Sequence, residues 1–117
     1  MPMAIRLTLP LPPSVNAAYV NVSGRGRVSS KALTNWKRDA GWRLQSQPRA
    51  QFAGPFRVAI YIPENMIGDA DNRVKPCLDL LVSHRVTPDD RFARSVLVER
   101  CEAVSHGECL IVVESAI

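Results

Sequence analysis

Hydrophobic positions along the chain recur with two different periods, and the changes between them mark out the elements. Residues 4–9 (AIRLTL) alternate apolar and polar side chains as a half-buried strand does, and Pro10, Pro12 and Pro13 stop ladder pairing directly afterwards, leaving an extended loop to Asn16. Two short runs, residues 18–22 and 27–29, flank Ser23-Gly24-Arg25-Gly26, where glycine lets the chain reverse, so a hairpin with Arg25 and Arg27 near its tip is expected. The period then lengthens. Leu33, Trp36, Ala40 and Leu44 recur at three- and four-residue intervals on one face of a helix that Ser29 or Ser30 caps and that runs to Gln45. Trp42 falls on the opposite face with Lys31 and Arg38, as either an interface anchor or a ring that stacks on nucleic acid.

Residues 47–54 read as a loop, and 56–62 (FRVAIYI) as a central strand ended by Pro63. A second helix starts between Asp71 and Lys75, with Val74, Cys77, Leu78 and Leu81 on its buried face; Pro76 fits only in its first turn, where its missing N–H has no intrahelical partner to lose. Residues 84–91 are rich in turn formers. Alternating runs 95–102 and 108–114 around Ser105-His106-Gly107 predict a closing hairpin. Helices interspersed with strands point to a single domain over residues 1–117 of the α/β (α+β) class, a mixed sheet with two main helices and a terminal hairpin.

The 117-residue length allows one core and leaves no room for separate cofactor and substrate domains. The longest apolar run, Cys109 to Val113, is far too short to span a membrane, and residues 1–13 lack the apolar segment of a secretory signal, so a cytoplasmic address is expected. Cys77, Cys101 and Cys109 make no C-x-x-C pair, and neither His84 nor His106 stands at zinc-ligand spacing from them; they read as buried thiols. Charge is unevenly spread: residues 1–60 carry a net +8 and residues 61–117 a net −4. A cationic half attracts a polyanion, and clustered carboxylates on the same small domain would repel it unless a metal cation lay between them.

The carboxylates concentrate in Gly68-Asp69-Ala70-Asp71-Asn72-Arg73-Val74-Lys75, with Asp90 in the loop after the second helix. Asp69 and Asp71 in a loop leading into a helix can turn towards one hard cation, with Asp90 as a third oxygen donor. Lys75, one turn beyond Asp71, is placed to offset charge building on a phosphorane. An EF-hand beginning at Asp69 fails, because Arg73, Val74 and Leu80 stand where its oxygen ligand, glycine and glutamate belong. Neither a P-loop nor a dinucleotide-binding glycine motif is present. Aspartates that merely cap a helix would give the same letters.

With these residues assembled, the chain resembles the RusA family of Holliday junction resolvases, small phage and prophage-type endonucleases. Leu9-Pro10-Leu11-Pro12-Pro13-Ser14-Val15-Asn16 is similar to the family's L-P-x-P-P-S-x-N opening, and Asp69-Ala70-Asp71-Asn72 with Lys75, followed by Pro88-Asp89-Asp90, to its catalytic segments. The resemblance implies a RusA-like fold, with Asp69, Asp71 and Asp90 as catalytic metal ligands and Lys75 as the catalytic lysine. It further implies Mg²⁺ (with Mn²⁺ as substitute) as cofactor, four-way junction DNA as substrate, and a symmetric homodimer making paired nicks in recombination and repair. Arg25, Arg27, Arg73 and Arg91, with Asn16, are the DNA-contact candidates. Trp42 and the apolar positions of the closing hairpin are the interface candidates. This chain departs from family members that carry arginines before the first aspartate, having Pro63-Glu64-Asn65-Met66-Ile67-Gly68 there. The competing readings are a catalytically silent DNA-binding or scaffold protein of the same fold, and a two-metal nuclease acting on flaps or duplex.

Overall fold

The computed structural model describes residues 3–14 and 19–117. Its elements are β1 (Ala4–Pro10), β2 (Tyr19–Val22), β3 (Gly26–Ser29), α1 (Lys31–Gln45), β4 (Phe56–Pro63), α2 (Val74–Ser83), β5 (Ala93–Cys101) and β6 (Glu108–Ser115), with short helical turns at Ala70–Arg73 and Asp90–Phe92. The main sheet has the order β1-β6-β4-β5: β6 runs antiparallel to both β1 and β4, and β5 runs parallel to β4. β2 and β3 form a separate antiparallel ribbon, the hairpin expected around Gly24 and Gly26. The result is a mixed α+β domain.

Both helices form because an apolar stripe repeats at helical spacing, and both bury that stripe on one face of the sheet. α1 buries Leu33, Trp36, Ala40 and Leu44, as its period predicts, and Ser30 caps it: the Ser30 hydroxyl accepts from the Leu33 N–H at 3.2 Å. Trp36 donates its indole N–H to the Pro10 carbonyl at 2.8 Å, which fixes the helix against the end of β1. Gly41 is buried against His84 at the C-terminal end of α2, where an added Cβ would stand 3.0 Å from the imidazole ring. α2 buries Pro76, Cys77, Leu80 and Leu81, while Val74 and Leu78 are half-buried. Pro76 is the third residue of α2, a position whose N–H has no partner within the helix, so the proline costs no hydrogen bond.

The inward side chains of the sheet complete the core: Leu7 and Leu9 of β1, Val58, Ile60 and Ile62 of β4, and Cys109, Ile111 and Val113 of β6. Each of these fully buried aliphatic chains is worth about 2–5 kcal/mol against truncation to alanine.

The expected closing hairpin does not form. β5 and β6 are separated by β4, which pairs with both. Alternation identifies a strand but not its neighbour. The six-residue connection from Glu102 to Gly107 is long enough to cross one intervening strand, about 10 Å at the usual strand spacing. β4 is inward-apolar along its whole length and takes the central place, whereas β5 leaves Val96 and Leu97 exposed at an edge.

α2 ends in a Schellman arrangement. Arg85 N–H bonds to the Val82 carbonyl and Val86 N–H to the Leu81 carbonyl, with Val86 buried behind them. The residue at the left-handed position is Arg85, at φ 61°, where glycine is the usual occupant; a side chain there costs about 1 kcal/mol.

Candidate active site

The acidic segment lies between β4 and α2. Gly68, at φ 102°, turns the chain in a conformation that suits glycine, and the Ala70–Arg73 turn follows at once. Asp69 occupies the capping position of this turn, yet its carboxylate makes no capping bond. Asp69 and Asp71 are both exposed. Asp89 differs: its carboxylate accepts from the Arg91 N–H at 3.0 Å and so caps the Asp90–Phe92 turn. In the Pro88-Asp89-Asp90 loop, therefore, Asp89 stabilises the backbone and Asp90 presents its side chain outward.

Asp90 faces the exposed side of α2. Its carboxyl is pushed above the usual aspartate range, first by partial burial and then by the neighbouring negative charges of Asp79 and Asp89, while the Lys75 ammonium pulls the other way. Lys75 and Asp79 are one helical turn apart and pair at 3.5 Å. Lys75 thus lies within electrostatic range of Asp90 but pairs with Asp79, a residue which the sequence reading missed. The signal was available: Asp79 stands four residues after Lys75, on the same face of the predicted helix.

Two arginines hold the segment from either side through backbone carbonyls. Arg100, on β5, donates to the carbonyls of Glu64 at 3.1 Å, Met66 at 2.6 Å and Gly68 at 2.8 Å, so that one guanidinium fixes the loop leading to Asp69. Arg73 donates to the Pro12 carbonyl, joining the proline-rich loop to the acidic turn. Its Nε is buried and without a partner among the described residues, and burial lowers its pKa. Arg73 is thereby half-buried and committed to the backbone, unlike the freely exposed phosphate ligand expected from sequence. Of the other DNA-contact candidates, Arg25 is exposed in the β2–β3 turn and Arg91 is exposed with its guanidinium 4.9 Å from the Phe92 ring centre. Asn16 and the Arg27 side chain lie outside the described residues. Sequence reasoning had no local signal for Arg100, which acts on carbonyls more than thirty residues away.

Among the described residues no group of three His, Cys, Asp or Glu side chains is spaced to hold a metal ion unaided. Asp69, Asp71 and Asp90 accordingly do not form a closed ligand set as they stand. The donors nonetheless suit Mg²⁺. They are exposed carboxylate oxygens, and Asp90, raised first by partial burial and then by the negative charges of Asp79 and Asp89, is a carboxylate whose ionised form a divalent cation would favour. Mg²⁺ commonly takes one or two carboxylates and completes its shell with water and substrate phosphate, so a cage of three is not required of the protein alone. Of the three thiols expected to be buried, Cys101 is only half-buried, on β5. Cys77 and Cys109 are buried, and the hydrogen bond with Cys109 together with burial holds the Cys77 thiol well above its ordinary range.

A cleft of about 620 Å³ lies elsewhere, on the sheet face that the helices leave uncovered, lined by Arg6, Thr8, Tyr61, Leu110 and Val112 among others. Among the described residues no helix is long and apolar enough to cross a membrane.

A small α+β domain with exposed carboxylates, an adjacent lysine and a cationic N-terminal half has the side chains of a nuclease. Residues 10–114, nearly the whole chain, match the family described as endodeoxyribonuclease RusA, and the chain belongs to that family. None of the curated proteins matches it.

Proposed function

We propose that the protein is a Holliday junction endodeoxyribonuclease that cuts four-way DNA with Mg²⁺ at Asp69, Asp71 and Asp90, in recombination and repair. Membership of the RusA endodeoxyribonuclease family carries this reading. The uncapped Asp69 carboxylate and the raised Asp90 pKa support the residue assignment, because neither side chain is consumed by a structural role. When bound, Mg²⁺ lowers the pKa of a water nucleophile and stabilises the leaving oxygen. The chain's own part is to hold hard oxygen donors at the scissile phosphate, Asp69 and Asp71 from the turn and Asp90 from the loop after α2. Lys75 offsets charge on the phosphorane and is oriented by Asp79. Arg100 sets the backbone from which Asp69 projects.

A closed twofold dimer suits a nearly twofold junction, since paired nicks need two sites. In the proposed homodimer the uncovered sheet face, with Tyr61, Leu110 and Val112, is the apolar surface available for a second copy.

The test is a cleavage assay on a four-way junction, a flap and a linear duplex of the same sequence, with Mg²⁺ and with EDTA. Cutting of the junction in Mg²⁺ alone, lost in Asp71→Asn with junction binding retained, is the expected result. Binding without products under every metal condition would identify a silent scaffold, and preferential cutting of the flap or duplex would replace the junction as substrate.

A further inference from the structure

We propose that the exposed face of α1 and the cleft beyond its C-terminal end form a track for the sugar–phosphate backbone of one DNA arm, leading to the loop that carries Asp90. The proposal rests on the endonuclease reading and adds to it the surface on which an arm lies.

Lys31, Asn35, Arg38 and Trp42 fall within about 60° of one another around α1, at 100° per residue, and so make one stripe along the helix. Lys31, Arg38 and Trp42 are exposed, Trp42 to 71%, the largest aromatic surface left open among the described residues. The helix bears Lys31, Lys37, Arg38 and Arg43; Asp39 pairs with Arg38 at 3.2 Å and Glu108 with Arg43 at 2.7 Å, which leaves Lys31 and Lys37 without an ion pair among the described residues. One turn further on, Arg49 bends back to donate to the Gln45 carbonyl at 2.8 Å, which keeps its guanidinium at the end of the stripe. A cleft of about 500 Å³ opens there, lined by Gln47, Arg49, Gln51, His84 and Arg85 and by no carboxylate. Arg85 also lines the neighbouring cleft with Thr87 and Pro88, two residues short of Asp90. Cations and amide groups thus continue from the helix to the candidate catalytic loop.

Arg85 supplies an independent observation. It occupies the left-handed position at the end of α2, where glycine would be relaxed, so the fold gains nothing from a side chain there and bears strain to keep one. Exposed there and lining both clefts, the Arg85 guanidinium is open to a partner outside the fold. Charge selects that partner. A second copy docked on this stripe by twofold symmetry would set Lys31, Arg38 and Arg49 against their own images, whereas a polyanion releases counterions on meeting them and offers base faces to the Trp42 ring.

The experiment measures junction affinity in EDTA against salt concentration for the wild type, Arg85→Gly and the double variant Arg38→Ala/Arg49→Ala, with melting temperatures alongside. Arg85→Gly is expected to melt at the same or a higher temperature yet bind about tenfold more weakly, with a salt slope shallower by about one; the double variant should lose about two. Tryptophan emission should be quenched by junction DNA in the wild type and not in Trp42→Phe. Wild-type affinity and slope in both charge variants, with unquenched emission, would overturn the track while leaving a DNA-cutting enzyme standing. A dimer whose mass falls to the monomer in Trp42→Ala, with DNA affinity unchanged, would hand this face to a second copy and overturn it too. Failure of the wild type to bind any DNA would remove the track together with the endonuclease reading.

Discussion

Arg100 donates to the carbonyl of Gly68 at 2.8 Å, one residue before Asp69. The relationship follows from strand register: β5 runs parallel to β4, and Arg100 sits beside Ile62, so its side chain reaches just past the end of β4 to the loop that begins there.

Arg100→Ala frees the carbonyls of Glu64, Met66 and Gly68, and the loop that positions Asp69 loses its fixed course. Junction cutting is expected to fall by about 10²-fold, the cost of displacing a catalytic group by roughly an ångström, with junction affinity little changed. Arg100→Lys should recover only part of the rate, because an ammonium lacks the planar fork that spans three carbonyls. Single-turnover cleavage beside a binding titration checks this; wild-type cutting by Arg100→Ala would show that the clamp is incidental.

The acid limb of the cleavage profile should report Asp90. Its carboxyl ionises above the usual range, so activity that needs the carboxylate fades earlier on acidification than an unperturbed aspartate would allow. Asp79→Asn removes one repelling charge and unpairs Lys75, and both changes favour ionised Asp90. The limb is predicted to move to lower pH. A limb that stays or rises would place Asp79 outside the electrostatics of the site.

Stability should respond in the opposite sense to activity. Because the folded pKa of Asp90 is raised, its ionised form opposes folding at neutral pH, and that penalty disappears as the pH falls through the folded value. Asp90→Asn is expected to melt no lower than the wild type at pH 7, with any advantage shrinking on acidification. Melting curves across pH decide it: a lower melting temperature at pH 7 would mean that the carboxylate stabilises the loop.

The thiols should separate by depth. Cys77 and Cys109 are fully buried and Cys101 is half-buried. A small thiol reagent should label Cys101 in the native protein and reach the other two only on unfolding. Rapid native labelling of Cys77 would contradict the packing of α2 on the sheet.

Much of this architecture is legible from spacing alone. The helical stripe from Leu33 to Leu44 and the alternation of Val58, Ile60 and Ile62 specify both an element and its buried face, and Pro76 limits where α2 can begin. Asp69, Asp71 and Lys75 stand out because a short segment concentrates them, and the charge of Lys75 is felt at Asp90 from across the fold. Pairing partners are a different kind of information. Nothing in residues 95–102 says that β4 and not β6 lies beside them, since alternation describes one strand and register belongs to two. Arg73 and Arg100 were opaque for the same reason: an arginine that binds phosphate and one that binds carbonyl groups carry the same letter, and only the folded backbone shows which acceptors it has met.

Gln47 illustrates what one amide does for the assembly. Its side chain accepts from the Thr8 N–H at 2.8 Å and donates to the Thr8 carbonyl at 2.7 Å, while also reaching the Arg43 carbonyl. It imitates a neighbouring strand for a single residue at the outer margin of β1. A foreign strand adding there would have to evict an amide already bonded three times, so sheet extension is blocked on that flank. Any polymer built by strand addition to the main sheet would have to start from β5, and its growth would be one-sided.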